Sequence, residues 1–296
     1  MKRKTWLIVA VSLLAGGGLL FTGVMTVLGW DFSKLSTIPY ETNEYSVSEP
    51  FQDIEIYTDT ADVVFVPSDS PTVTCYEQVT VKHDVRAEFD TLTIQVKDTR
   101  KWYEHIGISF GSPKITVQLP AGAYGSLTVK GSTGDVEIPK GFTFEKINVV
   151  QSTGHVTLGA SVTGDMVVET STGQINLNGV SASSVSLSVS TGKTTLTDVR
   201  AKRLKSSGNT GNVVLENVLI DGRLWIRRST GDVKLKDVDA KDLSITTDTG
   251  DVRGNLLSDK IFFTRTDTGR VDVPQTTTGG KCEIMTDTGD IHLTTP

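Results

Sequence analysis

The dipeptide Thr-Gly recurs in a regular series of nine, ending at Gly134, Gly154, Gly173, Gly192, Gly211, Gly231, Gly250, Gly269 and Gly289, at intervals of 20, 19, 19, 19, 20, 19, 19 and 20 residues. The position before each Thr holds Ser, Asn or Asp: Ser132, Ser152, Ser171, Ser190, Asn209, Ser229, Asp248, Asp267 and Asp287. The residue after each Gly is polar. A unit this short holds two or three strands and cannot close a core alone. It must stack on its neighbours.

The register around the glycines says how. Two and four residues after Gly stand apolar pairs such as Val156 and Leu158, or Val213 and Leu215. Seven and five before it stand Ile147 and Val149, or Leu224 and Ile226. Each pair has period two, the mark of a strand with one buried face. The two pairs differ in parity, so the chain turns between them, at the Ser/Asp-Thr-Gly unit. A third inward position, seven after Gly, holds Val180, Val199, Val218, Val238 and Leu257 and predicts a three-cornered cross-section. The fold class is therefore all-β: a parallel β-solenoid (β-helix) with rungs of 19–20 residues. The one-residue length changes belong to the corner between the second strand and the next first strand.

A degenerate repeat precedes the series, with Ile54, Ile56, Asp59-Thr60-Ala61, Val63 and Phe65 in register and Ala in place of Gly. Irregular alternating segments separate it from Gly134. Residues 51–120 are thus expected to be an N-terminal β cap and residues 121–296 the solenoid repeats. Pro296 follows the last repeat directly, which predicts an open edge there, either blunted or available for docking.

No Lys, Arg, Asp or Glu lies between Lys4 and Asp31. The 26 residues from Thr5 to Trp30 exceed the ~20 that cross a bilayer as a helix. They are also longer than the apolar region of a cleaved signal, which favours a retained anchor over residues 1–30. Ala15-Gly16-Gly17-Gly18 leaves cleavage as the alternative. Trp6 and Trp30 bracket the span, and Lys2, Arg3 and Lys4 are expected on the cytoplasmic side. That orientation makes the protein single-pass at the cell membrane, with its C-terminal domain extracytoplasmic and the lipid bilayer a partner of residues 5–30. Residues 31–50 are polar, contain two prolines and are expected to be a stalk. With three of the 29 basic residues at the N-terminus, residues 31–296 carry 26 basic and 35 acidic side chains, a net of −9. That balance argues against nucleic acid.

The tandem segments STGDVEI, STGHVTL, STGQINL, STGDVKL and DTGDIHL, behind an N-terminal apolar span, resemble the bacterial putative-adhesin family of membrane-anchored β-strand-repeat domains of unknown function. The resemblance covers residues 45–296. It implies a place at the cell envelope, where some members are similar to proteins near antibiotic-stress response systems. It brings no catalytic residues.

The residues themselves supply no catalytic constellation. His83, His105, His155 and His292 form no metal-ligand spacing, and there is no GxSxG or phosphate-binding loop. Catalytic residues, cofactors and metals are accordingly all expected to be none. Asp248, Asp251, Asp267, Asp287 and Asp290 are the residues a carbohydrate-active β-helix enzyme or a calcium column would use. They occupy turn positions that other polar residues fill elsewhere, and Arg270 interrupts the column. Cys75 and Cys282 belong to opposite ends of the rod, so they are expected to be unbridged, buried apolar thiols.

One surface departs from the repeat. Outward positions on the first strand carry Lys205, Trp225, Arg227, Phe263 and Arg265, with Arg203, Arg223 and Arg228 nearby. A basic, aromatic stripe on an acidic domain suits an anionic envelope polymer, a lipid headgroup or a protein partner. Lys205, Arg223, Trp225, Arg227, Phe263 and Arg265 form the candidate binding surface. The segment Lys101-Trp102-Tyr103-Glu104-His105-Ile106 is a second aromatic candidate. The reading is a non-enzymatic, adhesin-like binding module at the cell envelope, with envelope-stress sensing as a role it could serve. The alternative is an assembly module that uses the C-terminal edge.

Overall fold

A computed structural model describes residues 3–35, 38–100 and 111–296. Lys101–Ile106 and His105 lie outside the described residues. The apolar span is one helix, Arg3–Val27, whose Thr5–Val27 stretch has a mean hydropathy of 2.2 and is exposed along nearly all its length, with Met25 buried near its end. It is long and apolar enough to cross a membrane.

The remainder is a parallel β-solenoid of about nine turns. Equivalent residues of consecutive repeats stack in register: Val149 on Val168, Val168 on Leu187, Val213 on Val233. The columns predicted to face inward form one continuous core. All nine repeat glycines have φ between 134° and 155°. The reason is close stacking: a Cβ on Gly192 would lie 1.6 Å from the carbonyl oxygen of Gly173. Gly192 N–H donates to the carbonyl of Thr210 at 2.8 Å, so the turns themselves are hydrogen-bonded from rung to rung.

A second corner lies six residues after Gly, where Asp198, Asn217 and Asp237 have φ of 53–55°. Asn and Asp tolerate that conformation. Val180, Val199, Val218 and Val238 follow it and are fully buried. In the next rung the inward residue is Leu256, and Leu257 is 44% exposed, a correction to the predicted column. The pairing shifts by one residue between Leu235 and Val238, which moves Leu256 onto Val238. The extra residue of the Gly231 repeat falls at the third corner, between Ile220 and Arg223, as expected.

Both ends stack out of chain order. Strands Asp53–Thr58 and Asp62–Pro67, the degenerate repeat, lie between Thr91–Asp98 and Lys114–Leu119 on one side and Gly122–Thr133 and Val136–Ile138 on the other. Ala61 takes the place of a repeat glycine below Gly134. Phe65 packs edge-on against Phe142 and Phe144, at 6.0 and 6.3 Å between ring centres, and fills the wider end. Antiparallel strands Thr72–Gln78 and Val81–Glu88 cover this end. Tyr40–Ser46, inside the segment expected to be a stalk, is a strand paired antiparallel with Thr72–Gln78.

At the other end, Val233–Thr249 pairs with Gly280–Thr288, and Gly280–Thr288 with Lys260–Thr268. Gly250 N–H donates to Thr288 and Gly289 N–H to Thr268, each at 2.9 Å. The last repeat is therefore inserted beneath the one before it. The exposed edge is Lys260–Thr268, not the strand before Pro296, which corrects the sequence expectation. Burial explains the exchange. Cys282, Ile284, Ile291 and Leu293 are buried, whereas the outer rung carries the half-buried polar Thr264 in a core column and Val271 at 44% exposure. The rung with the full apolar complement takes the position covered on both sides.

Candidate binding groove

Ser184, Ser186, Lys205 and Trp225 are neighbours across three parallel strands, with Ser186 opposite Lys205 and Lys205 opposite Trp225. Small serines on one rung and an indole two rungs away make a ledge. It floors a shallow groove of about 480 Å³ lined also by Arg203, Leu204 and Arg223. Lys205 Nζ leans over the indole, 5.3 Å from its centre, a cation–π contact. Among the described residues Arg203, Lys205 and Arg223 form no ion pair and no carboxylate lines the groove, although Asp242 is the ladder neighbour of Arg223. Three cations with free charge and one aromatic face thus converge on a flat sheet.

The structure separates this group from the rest of the predicted stripe. Arg227 is exposed two residues beyond Trp225 on the same strand. Trp225 and Phe263 are divided by Ser244 and Glu283, three strand steps or roughly 14 Å. The inserted rung is the cause. Lys281 lies over Phe263 at 5.4 Å and pairs with Glu283, and Arg265 pairs with Asp267 at 3.0 Å. Phe263 and Arg265 therefore belong to the end rung.

Arg228 is a core residue, not a surface one. It is fully buried and donates to Thr194 Oγ1 at 3.0 Å, Ser206 Oγ at 2.9 Å and the Arg227 carbonyl at 2.9 Å. Burial lowers its pKa from 12.5 to about 10. Gly208, one rung below, leaves room for the guanidinium.

The residues following the repeat glycines have a backbone role. Asp232 accepts the Asp251 N–H, Asp251 that of Asp290, and Asp290 that of Arg270, at 2.8–3.1 Å. Arg253 bridges Asp251 at 2.7 Å and Asp290 at 3.3 Å, so the protein itself screens two of the stacked carboxylates that a calcium column would use. His155 joins the same ladder by accepting the Gln174 N–H, and His292 is paired with Asp272 on the surface.

Both cysteines are buried and free, and burial pushes each thiol up to about 12. Cys282 sits in the apolar core as expected. Cys75 does not have purely apolar surroundings: it adjoins Glu77 and His83, a buried group that the spacing of the histidines did not reveal. The signal available was parity, since Cys75 and Glu77 alternate on one strand.

The model of the Toastrack DUF4097 family matches residues 51–232 and 198–296, nearly the whole chain beyond the helix. The chain belongs to the Toastrack DUF4097 family. No curated protein matches. Among solved structures, a putative adhesin from Parabacteroides distasonis is 15% identical, covers 86% of this chain and 97% of its own, and has a TM-score of 0.53. A putative lipid binding protein from the same organism is 15% identical over 88% of this chain and 98% of its own, with a TM-score of 0.52. At that identity the likeness is one of fold, and this Toastrack chain shares the β-solenoid architecture of both.

Proposed function

We propose that this Toastrack protein is a non-enzymatic binding module, anchored by its N-terminal helix with the solenoid outside the cell, and that its groove holds an anionic polymer of the envelope. One observation carries the reading: Arg203, Lys205 and Arg223 converge beside Trp225 on a domain with a net charge of −9, counted from 26 basic and 35 acidic side chains over residues 31–296. Free cations concentrate a polyanion there, and the indole offers a stacking face for a sugar. The adhesin and lipid-binding descriptions of the structural neighbours support a surface-binding role. The nine turns serve as a rigid frame for side chains placed about 4.8 Å apart.

The test is binding of the full chain in nanodiscs to an anionic cell-wall polymer, a neutral glycan and anionic vesicles, at low and high salt. Binding to the anionic polymer should weaken with salt and fall at least tenfold in Trp225→Ala and in Lys205→Glu. Salt-independent binding, or wild-type affinity in both variants, removes the groove as the site. Binding to the vesicles alone would assign it to lipid headgroups.

A second reading rests on the end rung. Among the described residues Lys260–Thr268 has one unpaired edge, and Ile261 and Phe263 on it are 37% and 53% exposed. Such an edge pairs readily with another strand. This reading makes the solenoid an assembly module.

A further inference from the structure

We propose that Cys75, Glu77 and His83 form a binding site for one divalent ion of the zinc class, inside the capped end of the solenoid. Cys75 and Glu77 alternate on Thr72–Gln78 and face the same way, and His83 reaches back from Val81–Glu88, which Gln78 and Val81 join as a hairpin. The sulfur, a carboxylate oxygen and a ring nitrogen lie within 4.8 Å of one another. Zinc bonds of about 2.0–2.3 Å hold tetrahedral ligands roughly 3.3–3.8 Å apart, a spacing that small side-chain rotations reach from here.

Two further observations favour a ligand set over a structural contact. Among the described residues Glu77 is the one fully buried carboxylate and His83 the one buried histidine, and both adjoin one of two cysteines. A buried polar cluster of this kind adds little stability by itself, because apolar side chains would fill the space as well. Two of the three ligands, Glu77 and His83, are also held in orientation by hydrogen bonds. Glu77 Oε1 accepts from Asn43 at 2.8 Å, Glu77 Oε2 accepts the His83 backbone N–H at 2.6 Å, and His83 Nε2 meets Thr58 Oγ1 at 3.1 Å. A hydrogen bond on the far ring nitrogen is what fixes a metal-binding imidazole.

Charge and softness select the ion. Thiolate and carboxylate together neutralise a divalent cation, so no net charge is buried. Sulfur and imidazole favour zinc over calcium or magnesium. His83 Nδ1 and Glu77 Oε2 share a proton across 2.7 Å. The ion displaces that proton and the one on sulfur, and both pass to solvent. The sulfur–metal, nitrogen–metal and oxygen–metal bonds form with no change of oxidation state. A pocket of about 180 Å³ reaches His83 and Thr58 from the surface.

The experiment uses the chelator-treated full chain in nanodiscs and cobalt(II) as the probe. One equivalent should bind and give a sulfur-to-cobalt charge-transfer absorption, which zinc then bleaches. Zinc should raise Tm saturably. Cys75→Ser should lose the absorption, Cys282→Ser should keep it, and His83→Gln should weaken binding at least tenfold. No charge-transfer band in the wild type, a band that survives in Cys75→Ser, or one lost in Cys282→Ser overturns the site. Because the wild type and Cys282→Ser already decide the matter, a Cys75→Ser chain that fails to fold leaves the test intact.

Discussion

A guanidinium in the middle of a β-solenoid needs its surroundings built for it, and around Arg228 three columns change together. Thr194 and Ser206 stand where the adjacent rungs place Val, Ile or Leu, and Gly208, on the same rung, leaves space for the guanidinium. Arg228→Ala leaves a cavity and strands both hydroxyls, and should lower stability by about 2–4 kcal/mol. Adding Thr194→Val and Ser206→Val to Arg228→Leu replaces the polar group with apolar side chains, as Val213, Ile226 and Val189 supply at these positions in neighbouring rungs. Its stability should return to within about 1 kcal/mol of wild type or exceed it. Urea midpoints measure both, and a triple variant as unstable as Arg228→Ala would count against this account. Residue-level legibility was good where parity was followed. Lys205, Trp225 and Arg227 face outward as their spacing requires. Arg228 shares its parity with Leu224 and Ile226, so its inward direction was readable too, but a charge at that position points the wrong way unless the neighbouring rungs are compared.

For whole elements, the repeat encodes which residues face inward but not which rung lies on which. Every repeat presents the same turn and columns, so many pairing orders satisfy the pattern equally. What separates them is burial: the rung with Thr264 in a core column sits at the end, and the all-apolar one goes inside. That choice also divided the predicted stripe, because Lys281 and Glu283 entered between Trp225 and Phe263. Crosslinking tests the order. Thr246 and Met285 are ladder neighbours, whereas Arg265 lies one strand further out. Cysteines at 246 and 285 should oxidise to a disulfide, since parallel neighbours about 4.8 Å apart lie within its Cα range. Cysteines at 246 and 265, about 9.6 Å apart, should not. The opposite result would restore chain order at this end.

On the scale of the whole molecule the two ends differ. The first is closed by antiparallel strands and continues into the helix, and the second presents Lys260–Thr268 with one edge unpaired. Two copies of that strand can pair antiparallel about Thr264. Such pairing sets Phe263 opposite Arg265 of the second copy on one face, and Phe262 opposite Thr266 on the other, so that the two cores become continuous. Cation–π contacts then form twice by symmetry. Because the N-terminal helix joins the closed end, this dimer, with each helix inserted in a bilayer as proposed, would place its two membranes at opposite ends of a double-length rod. Vesicles carrying the full chain with the solenoid outward should therefore cluster as protein density rises. Phe263→Arg should abolish clustering by setting like charges opposite Arg265 at the joint, and Trp225→Ala, three strand steps away, should leave it intact. Clustering that needs Trp225 and ignores Phe263 would transfer assembly to the groove. Dispersed vesicles at every density would leave the groove as the binding surface and the end rung as a simple terminus of the solenoid.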